Sequence, residues 1–320
     1  MEDLSRPGET ITLPLAIPVR AYLADHRVSD RVVLPAVEAL QVLADTLPAG
    51  SGADVLCQEE GRFSHLLTVD PRQREITALH EFIRFADGRC RSRLLTVLAG
   101  RQSAWTRKVE HASVVFAAGS REAKQGRGGP QQSGAAEASG GVRASVAGPA
   151  GESAGQGDAL PAVVAGEPTG PVFTVAPRRL YEELVPFGPA YRNVVGDLRL
   201  TPAGAWAELS GGGEPEAAGP LGSPFPFDAA LHAACAWGQR YRGIVAFPVS
   251  FDRREIVLPT RPGETYSCRV LPLPDREGAL CFDILIAGPG GGPAEVIRAV
   301  AMRDISGGRR RPPAWVQEGL

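Results

Sequence analysis

Between about Ala118 and Gly170 this 320-residue chain almost stops using large apolar side chains. Gly126-Arg127-Gly128-Gly129-Pro130 and the run from Gly148 to Asp158 are typical of the stretch. Such a composition buries too little surface to offset the entropy of ordering, so it reads as a flexible low-complexity linker, residues 118–170. A break of this kind constrains the fold strongly. It leaves an N-terminal part, 1–117, and a C-terminal part, 171–306, each of ordinary domain size, with 307–320 as a tail.

The two parts read alike. Each offers a strand, then a histidine- or aspartate-bearing segment, then one helix, then several strands. In the first, Ile11–Ile17 precedes a helix from Pro35 to Leu47. Val37, Leu40, Leu43 and Leu47 share one face of it, Pro35 suits its first position, and Gly50 with Ser51-Gly52 stops it. Strands are expected over Phe63–Val69, Ile76–Phe85, Arg91–Leu98 and Ala112–Phe116, with turns at Asp70-Pro71 and Asp87-Gly88. In the second, Trp206–Leu209 is a strand and Asp228–Tyr241 a helix closed by Gly243. Val245–Phe251, Glu255–Leu258, Tyr266–Leu271, Leu280–Ile286 and Glu295–Met302 are further strands. One helix with an antiparallel sheet, twice over, is an α+β plan.

Bulk properties exclude several functions. A formal net charge of −2 gives no electrostatic case for nucleic acid or an anionic membrane. The five cysteines are scattered and odd in number, without a CxxC pair, so neither a disulfide framework nor a zinc site is indicated. The proline-interrupted run Ile11–Val19 is too short to span a bilayer and lacks a basic start. A cytoplasmic setting is expected.

Two segments carry the chemistry. Asp25-His26-Arg27-Val28-Ser29-Asp30 leads to Pro35 and the first helix; Phe227-Asp228-Ala229-Ala230-Leu231-His232 opens the second helix. A histidine from one half and a carboxylate from the other form a natural base and acid pair. Taken alone, His26 reads as a turn residue and Asp228 as a helix cap. His232 lies one turn after Asp228, on the same face.

These segments resemble the motifs of polyketide synthase dehydratase domains. His26-xxx-Asp30-xxxx-Pro35 is similar to that family's His-xxx-Gly-xxxx-Pro, and Asp228-Ala-Ala-Leu-His232 to its Asp-xxx-Gln/His. Phe187-Gly188-Pro189-Ala190-Tyr191 is similar to Tyr-Gly-Pro-x-Phe, and Phe247-Pro248-Val249-Ser250-Phe251 to the strand entry after the second helix. All four occur in the family's order.

The resemblance implies a double hotdog, two antiparallel sheets each wrapped around one central helix. It implies a lyase that eliminates water from a 3-hydroxyacyl thioester to give a trans-2-enoyl thioester. His26 would take the α-proton and Asp228 protonate the β-hydroxyl. His232 would hold Asp228 or the substrate, Pro35 would shape the wall beside the histidine, and Gly188-Pro189 would line the tunnel and offer a backbone amide to the thioester carbonyl. No cofactor is implied; the acyl group would ride on the phosphopantetheine of an acyl carrier protein. Other synthase components are the expected partners, with a homodimer as an option and no role for nucleic acid or membrane.

Two positions depart from the pattern. Asp30 replaces a glycine, bringing a charge close to His26, and Phe187 replaces a tyrosine and its hydroxyl. Other readings of the same chain are a hotdog thioesterase, an enoyl isomerase or cyclase, and a non-catalytic acyl-binding module. His65, His80 and His111 receive no role.

Overall fold

Proline sets where the first helix begins. The structure, a computed structural model, describes residues 8–48, 50–99, 106–119 and 170–319. Helix α1 spans Ala36–Asp45 with Pro35 as its N-cap, one residue outside the helix. The Pro35 carbonyl accepts hydrogen bonds from Glu38 and Ala39 N–H at 3.1 and 3.0 Å. Val37, Leu40 and Leu43 are buried as the periodicity requires.

A short helix α2, Pro177–Arg179, runs straight into a π-helical turn over Leu180–Leu184. Helix α3 spans Phe225–Arg242 and is closed by Gly243 at φ +65°. It therefore starts three residues before Asp228. Pro224 and Pro226 mask this start in the sequence, yet a first turn has no use for their missing N–H groups.

The strands of the first half are β1 Thr10–Pro18, β2 Arg27–Val28, β3 Arg31–Val32, β4 Ala53–Arg62, β5 Glu75–Arg84, β6 Cys90–Ala99 and β7 Thr106–Ala118. Those of the second are β8 Phe173–Val175, β9 Leu198–Thr201, β10 Gly204–Ser210, β11 Phe247–Ile256, β12 Thr265–Arg276, β13 Ala279–Ala287 and β14 Pro293–Arg303. Residues 120–169 of the expected linker lie outside the described residues.

Strands β2 and β3 make a hairpin of their own. The other twelve form one antiparallel sheet in the order β1-β5-β6-β7-β4-β11-β14-β13-β12-β10-β9-β8. The expected two separate sheets are thus corrected to one continuous sheet. The join is β4 on β11, from Ser250 opposite Arg62 to Glu255 opposite Cys57.

Charge and polarity hide β4 from a sequence reading, and its neighbours satisfy that polarity. Glu59 meets Arg89 at 3.3 Å and Arg253 at 3.6 Å, and Glu60 meets Arg91 at 3.1 Å. At Gly61 a Cβ would stand 2.1 Å from the Phe251 ring, so only glycine lets the two halves approach there. Helix α1 packs on β6, β7 and α3, while α3 packs on β10 to β13, and one continuous apolar core runs through both halves.

Two further expectations change. Phe63–Val69 is no strand: it runs beside the β2–β3 hairpin, with Leu34 N–H bonded to Leu67 O at 2.9 Å and Val69 N–H to Val32 O at 2.8 Å. The expected tail is partly docked. Val316 is fully buried, and the Arg240 guanidinium donates to its carbonyl at 2.6 Å.

Candidate active site

His26 sits between a 3-10 turn, Ala21–Asp25, and the β2–β3 hairpin. The hairpin turns through Ser29 at φ +50° and Asp30 at φ +63°, as a type I′ turn requires. His26 accepts the Val33 N–H on its carbonyl at 3.1 Å, and its ring Nδ1–H donates to Val33 O at 3.0 Å. The backbone therefore fixes the tautomer and leaves the Nε2 lone pair free. Burial lowers the imidazole pKa; the nearby Asp228 and the Val33 carbonyl oppose that, and His232 adds to it. The net direction is downward, which keeps His26 neutral and basic near neutral pH.

Asp228 and His232 project from α3, and both are buried. Asp228 is a carboxylate of the first turn of α3, and the N-cap position belongs to Pro224. His232 Nε2 lies 3.1 Å from Asp228 Oδ2. Its direction is not that of a hydrogen bond, and both atoms lack a hydrogen-bond partner among the described residues. Two buried polar atoms left open side by side are costly unless something else meets them.

On the other side of His232, the Tyr181 hydroxyl stands 3.3 Å from Nδ1. That hydroxyl already accepts the Val194 N–H at 2.8 Å, so its own proton is free to go to His232. This places the His232 proton on Nε2, facing Asp228. Tyr181 comes from the π-helical turn, a device frequent at functional sites. Its only local mark is a tyrosine six residues before Phe187.

Phe187 joins the two sides, its ring stacked on His26 at 4.4 Å and tilted against His232 at 5.0 Å. His26, Phe187, Asp228 and His232 all line one cavity of about 470 Å³. Its remaining walls are mainly apolar, among them Val28, Leu34, Phe63, Leu231 and Met302. His65 and His111, given no role above, also line it. So does Cys235, whose thiol burial pushes up to about 11, which keeps it protonated. No cluster of three or more histidine, cysteine or acidic side chains suited to a metal occurs among the described residues.

The other expected site residues fall elsewhere. Asp30 is exposed at the hairpin tip and does not line the cavity, and the charges acting on His26 are those of Asp228 and His232. Its expected electrostatic hold on His26 is therefore absent; the tip simply tolerates Asp in a left-handed conformation. Pro35 is buried under the start of α1, between the lining residues Leu34 and Ala36.

Gly188 and Pro189 buttress the site without facing it. Gly188 N–H donates to Asp25 O at 2.8 Å, and Ala190 N–H to Asp25 Oδ2 at 2.9 Å. A Cβ on Gly188 would lie 2.3 Å from Asp25 Oδ1. The Gly188 amide is thus occupied and Pro189 has none, so the expected amide for a thioester carbonyl is not offered here. Asp25, unremarkable in the sequence, clamps this turn from the second half against the chain just before His26.

A second buried carboxylate escaped the sequence reading. Glu38 of α1 accepts hydrogen bonds from Tyr22 at 3.0 Å and from Tyr191, which comes from the second half. Burial raises its pKa to about 7 against the pull of the two hydroxyls. The Tyr191 ring stands 5.0 Å from the His26 ring.

No protein-family model and no curated protein sequence matches the chain. Solved structures do. The dehydratase domain of a mycocerosic acid synthase-like polyketide synthase superposes with a TM-score of 0.62 at 13% identity, covering 94% of this chain and 97% of that one. The dehydratase domain of RzxB from Pseudomonas fluorescens gives 0.61 at 15% identity, over 91% and 94%. That of PpsC from Mycobacterium tuberculosis, solved with C12:1-CoA, gives 0.55 at 19%, over 92% and 93%. This chain has the fold of polyketide synthase dehydratase domains. The dehydratase-like fold accounts for the repeated plan of its halves, and no helix among its described residues is long and apolar enough to cross a membrane.

Proposed function

We propose that the protein is a dehydratase that removes water from a 3-hydroxyacyl thioester held on the phosphopantetheine of an acyl carrier protein. The observation that carries this reading is the meeting of His26, Asp228 and His232 in one apolar cavity, with Asp228 Oδ2 and His232 Nε2 open toward a further partner. A substrate β-hydroxyl is a fitting partner, since it can both accept and donate.

In the proposed step, His26 Nε2 takes the α-proton. The Cα–H electron pair becomes the Cα=Cβ bond, and the Cβ–O bond breaks with its pair on oxygen. Asp228 delivers a proton to that oxygen, and water leaves. The His232 Nε2–H holds the hydroxyl or the carboxyl during transfer. The product is a trans-2-enoyl thioester, His26 is left as imidazolium and Asp228 as carboxylate, and proton exchange with solvent restores both. No part of this step calls on a metal or organic cofactor. Apolar walls suit an acyl chain and keep water from the thioester.

Mass spectrometry of a 3-hydroxyacyl carrier protein after incubation tests the reading. Loss of the mass of one water from the acyl-carrier supports it. Release of free acid would instead indicate a thioesterase, and an unchanged carrier a binding module.

A further inference from the structure

The π-helical turn that presents Tyr181 closes with Val185 N–H on Leu180 O at 2.8 Å, five residues apart. Such a ring is rare, and rare backbone conformations persist where their surroundings over-determine them. On the inner side of the turn, Leu180, Tyr181 and Leu184 are buried, and Gln239 of α3 donates to Leu184 O at 3.0 Å. Its outer side carries Glu183, with Arg179 one helical turn before it. The segment that follows β14 reaches this outer side.

Trp315 of that segment donates its indole N–H to Glu183 Oε2. Arg179 Nε donates to Glu183 Oε1 at 3.0 Å, and the Arg179 guanidinium lies over the Trp315 ring at 3.5 Å. The three side chains thus close a ring in which each touches the other two. The neighbouring pair Arg178–Glu182 has the same spacing and a distance of 2.9 Å, but it is exposed. An exposed ion pair holds little by itself, whereas one closed by an aromatic face is kept in a single geometry. Trp315 is itself anchored. Val316 beside it is fully buried, the Val316 carbonyl accepts from Arg240 of α3 at 2.6 Å, and Phe173 of β8 stacks on the Trp315 ring at 6.1 Å. The hold on Glu183 therefore comes from a fixed point.

We propose that Trp315 is a positioning residue: by holding Glu183 and Arg179 it fixes the π-helical turn so that the Tyr181 hydroxyl meets His232 Nδ1, which keeps the His232 proton on Nε2 and facing Asp228. The effect on turnover rests on the dehydratase reading. The effect on the His232 tautomer does not, so the two can fail separately.

Nitrogen-15 NMR of histidine-labelled full-length chain reads the tautomer, with the His232 signal assigned by its loss in His232→Gln. In the unaltered protein it should be that of an Nε2–H imidazole. In Trp315→Leu it should move toward a mixture of the two tautomers, and kcat should fall roughly three- to tenfold with little change in KM. Trp315→Phe keeps a ring for Arg179 and loses the N–H, so its effect should lie between. Glu183→Gln keeps an acceptor for the indole and should retain most of the Nε2–H signal. Trp315→Leu/Tyr181→Phe should match Tyr181→Phe alone, because the two residues act in series. Where the unaltered protein shows no dehydration, the NMR measurements decide alone. A different tautomer in the unaltered protein would overturn the proposal. So would an unshifted His232 signal in folded Trp315→Leu, or in Trp315→Phe if the leucine variant does not fold, and so would a double variant whose loss is the product of the two single losses.

Discussion

Each half of the molecule carries one helix against the common sheet, yet the two helices use their buried polar residues differently. Helix α1 turns its polar side chains on the other half. Glu38 binds Tyr191, Gln41 Oε1 accepts the Leu221 N–H at 3.0 Å, and its amide reaches the Gly222 carbonyl. Helix α3 keeps its bonds within its own half. Gln239 donates to Leu184 O at 3.0 Å, Arg240 holds Val316, and His232 meets Tyr181. Among the described residues of α3, Asp228 Oδ2, His232 Nε2 and Arg240 Nε lack hydrogen-bond partners, and of these residues Asp228 and His232 line the cavity. In the proposed reaction the base, His26, stands on a first-half loop locked by main-chain bonds, beside a helix that serves as a clasp. The proposed acid, Asp228, stands on a deeply buried helix of the second half.

The sharpest way to break this division is to remove each reacting group in turn. His26→Ala and Asp228→Asn should each slow dehydration by about 10²- to 10⁴-fold, the range for losing one acid or base. The double variant should be little slower than the worse single one, because groups that act as a unit are not additive. The readout is dehydrated acyl-carrier formed per unit time, with circular dichroism as a folding control. Near-normal turnover in a folded Asp228→Asn protein would place the acid elsewhere.

The clasp is tested by pH. Glu38 has a pKa raised to about 7 in the folded chain, so the native state holds a proton that the unfolded chain releases near its ordinary value of 4.5. Between those limits the native state binds more protons, and stability falls as pH rises from about 4.5 to about 7. The full difference is about 3.5 kcal/mol, taking each unit as about 1.4 kcal/mol. Glu38→Gln should remove that slope in denaturant unfolding at pH 4.5 and 7. The same slope in the variant would assign it to other groups.

Tyr181→Phe probes whether the second half orients its own acid. Losing the hydroxyl frees the His232 tautomer and leaves the buried Val194 N–H without its acceptor. We expect about a tenfold lower kcat with little change in KM, together with about 1–3 kcal/mol less stability. The pH profile of kcat should also shift, which a purely structural loss would not cause.

The smallest effect is expected at Asp30. Asp30→Gly should leave the pH limb set by His26 where it is, since Asp30 does not act on that ring. It should change stability by no more than about 1 kcal/mol, through relief of the left-handed turn. A displaced limb would return Asp30 to the site.

Much of this was readable from residues. Leu40 and Leu43 mark α1 by their spacing, and Gly243 marks the end of α3. His26, Asp228 and His232 stand out by motif, and the structure does bring them to one cavity. What was not readable depended on partners far away in sequence. β4 looks like a loop until Arg89, Arg91 and Arg253 answer its carboxylates. Phe63–Val69 looks like a strand, yet its backbone groups are taken by Val32 and Leu34. Asp25, Glu38 and Tyr181 matter through groups contributed by the other half or by a distant loop, and no local pattern signals such a bond. The Gly188 amide shows the converse, since a motif can suggest a donor that a neighbour has already claimed.

The antiparallel seam between β4 and β11 has a practical consequence for anyone who divides the chain. Cutting the molecule into its two natural-looking halves would strip both strands of one row of partners at the middle of a twelve-stranded sheet. Each fragment would then display a long, unprotected edge, the usual template for self-pairing and aggregation. The halves should behave as complementary pieces, poorly soluble when made separately and recovered as one particle when made together.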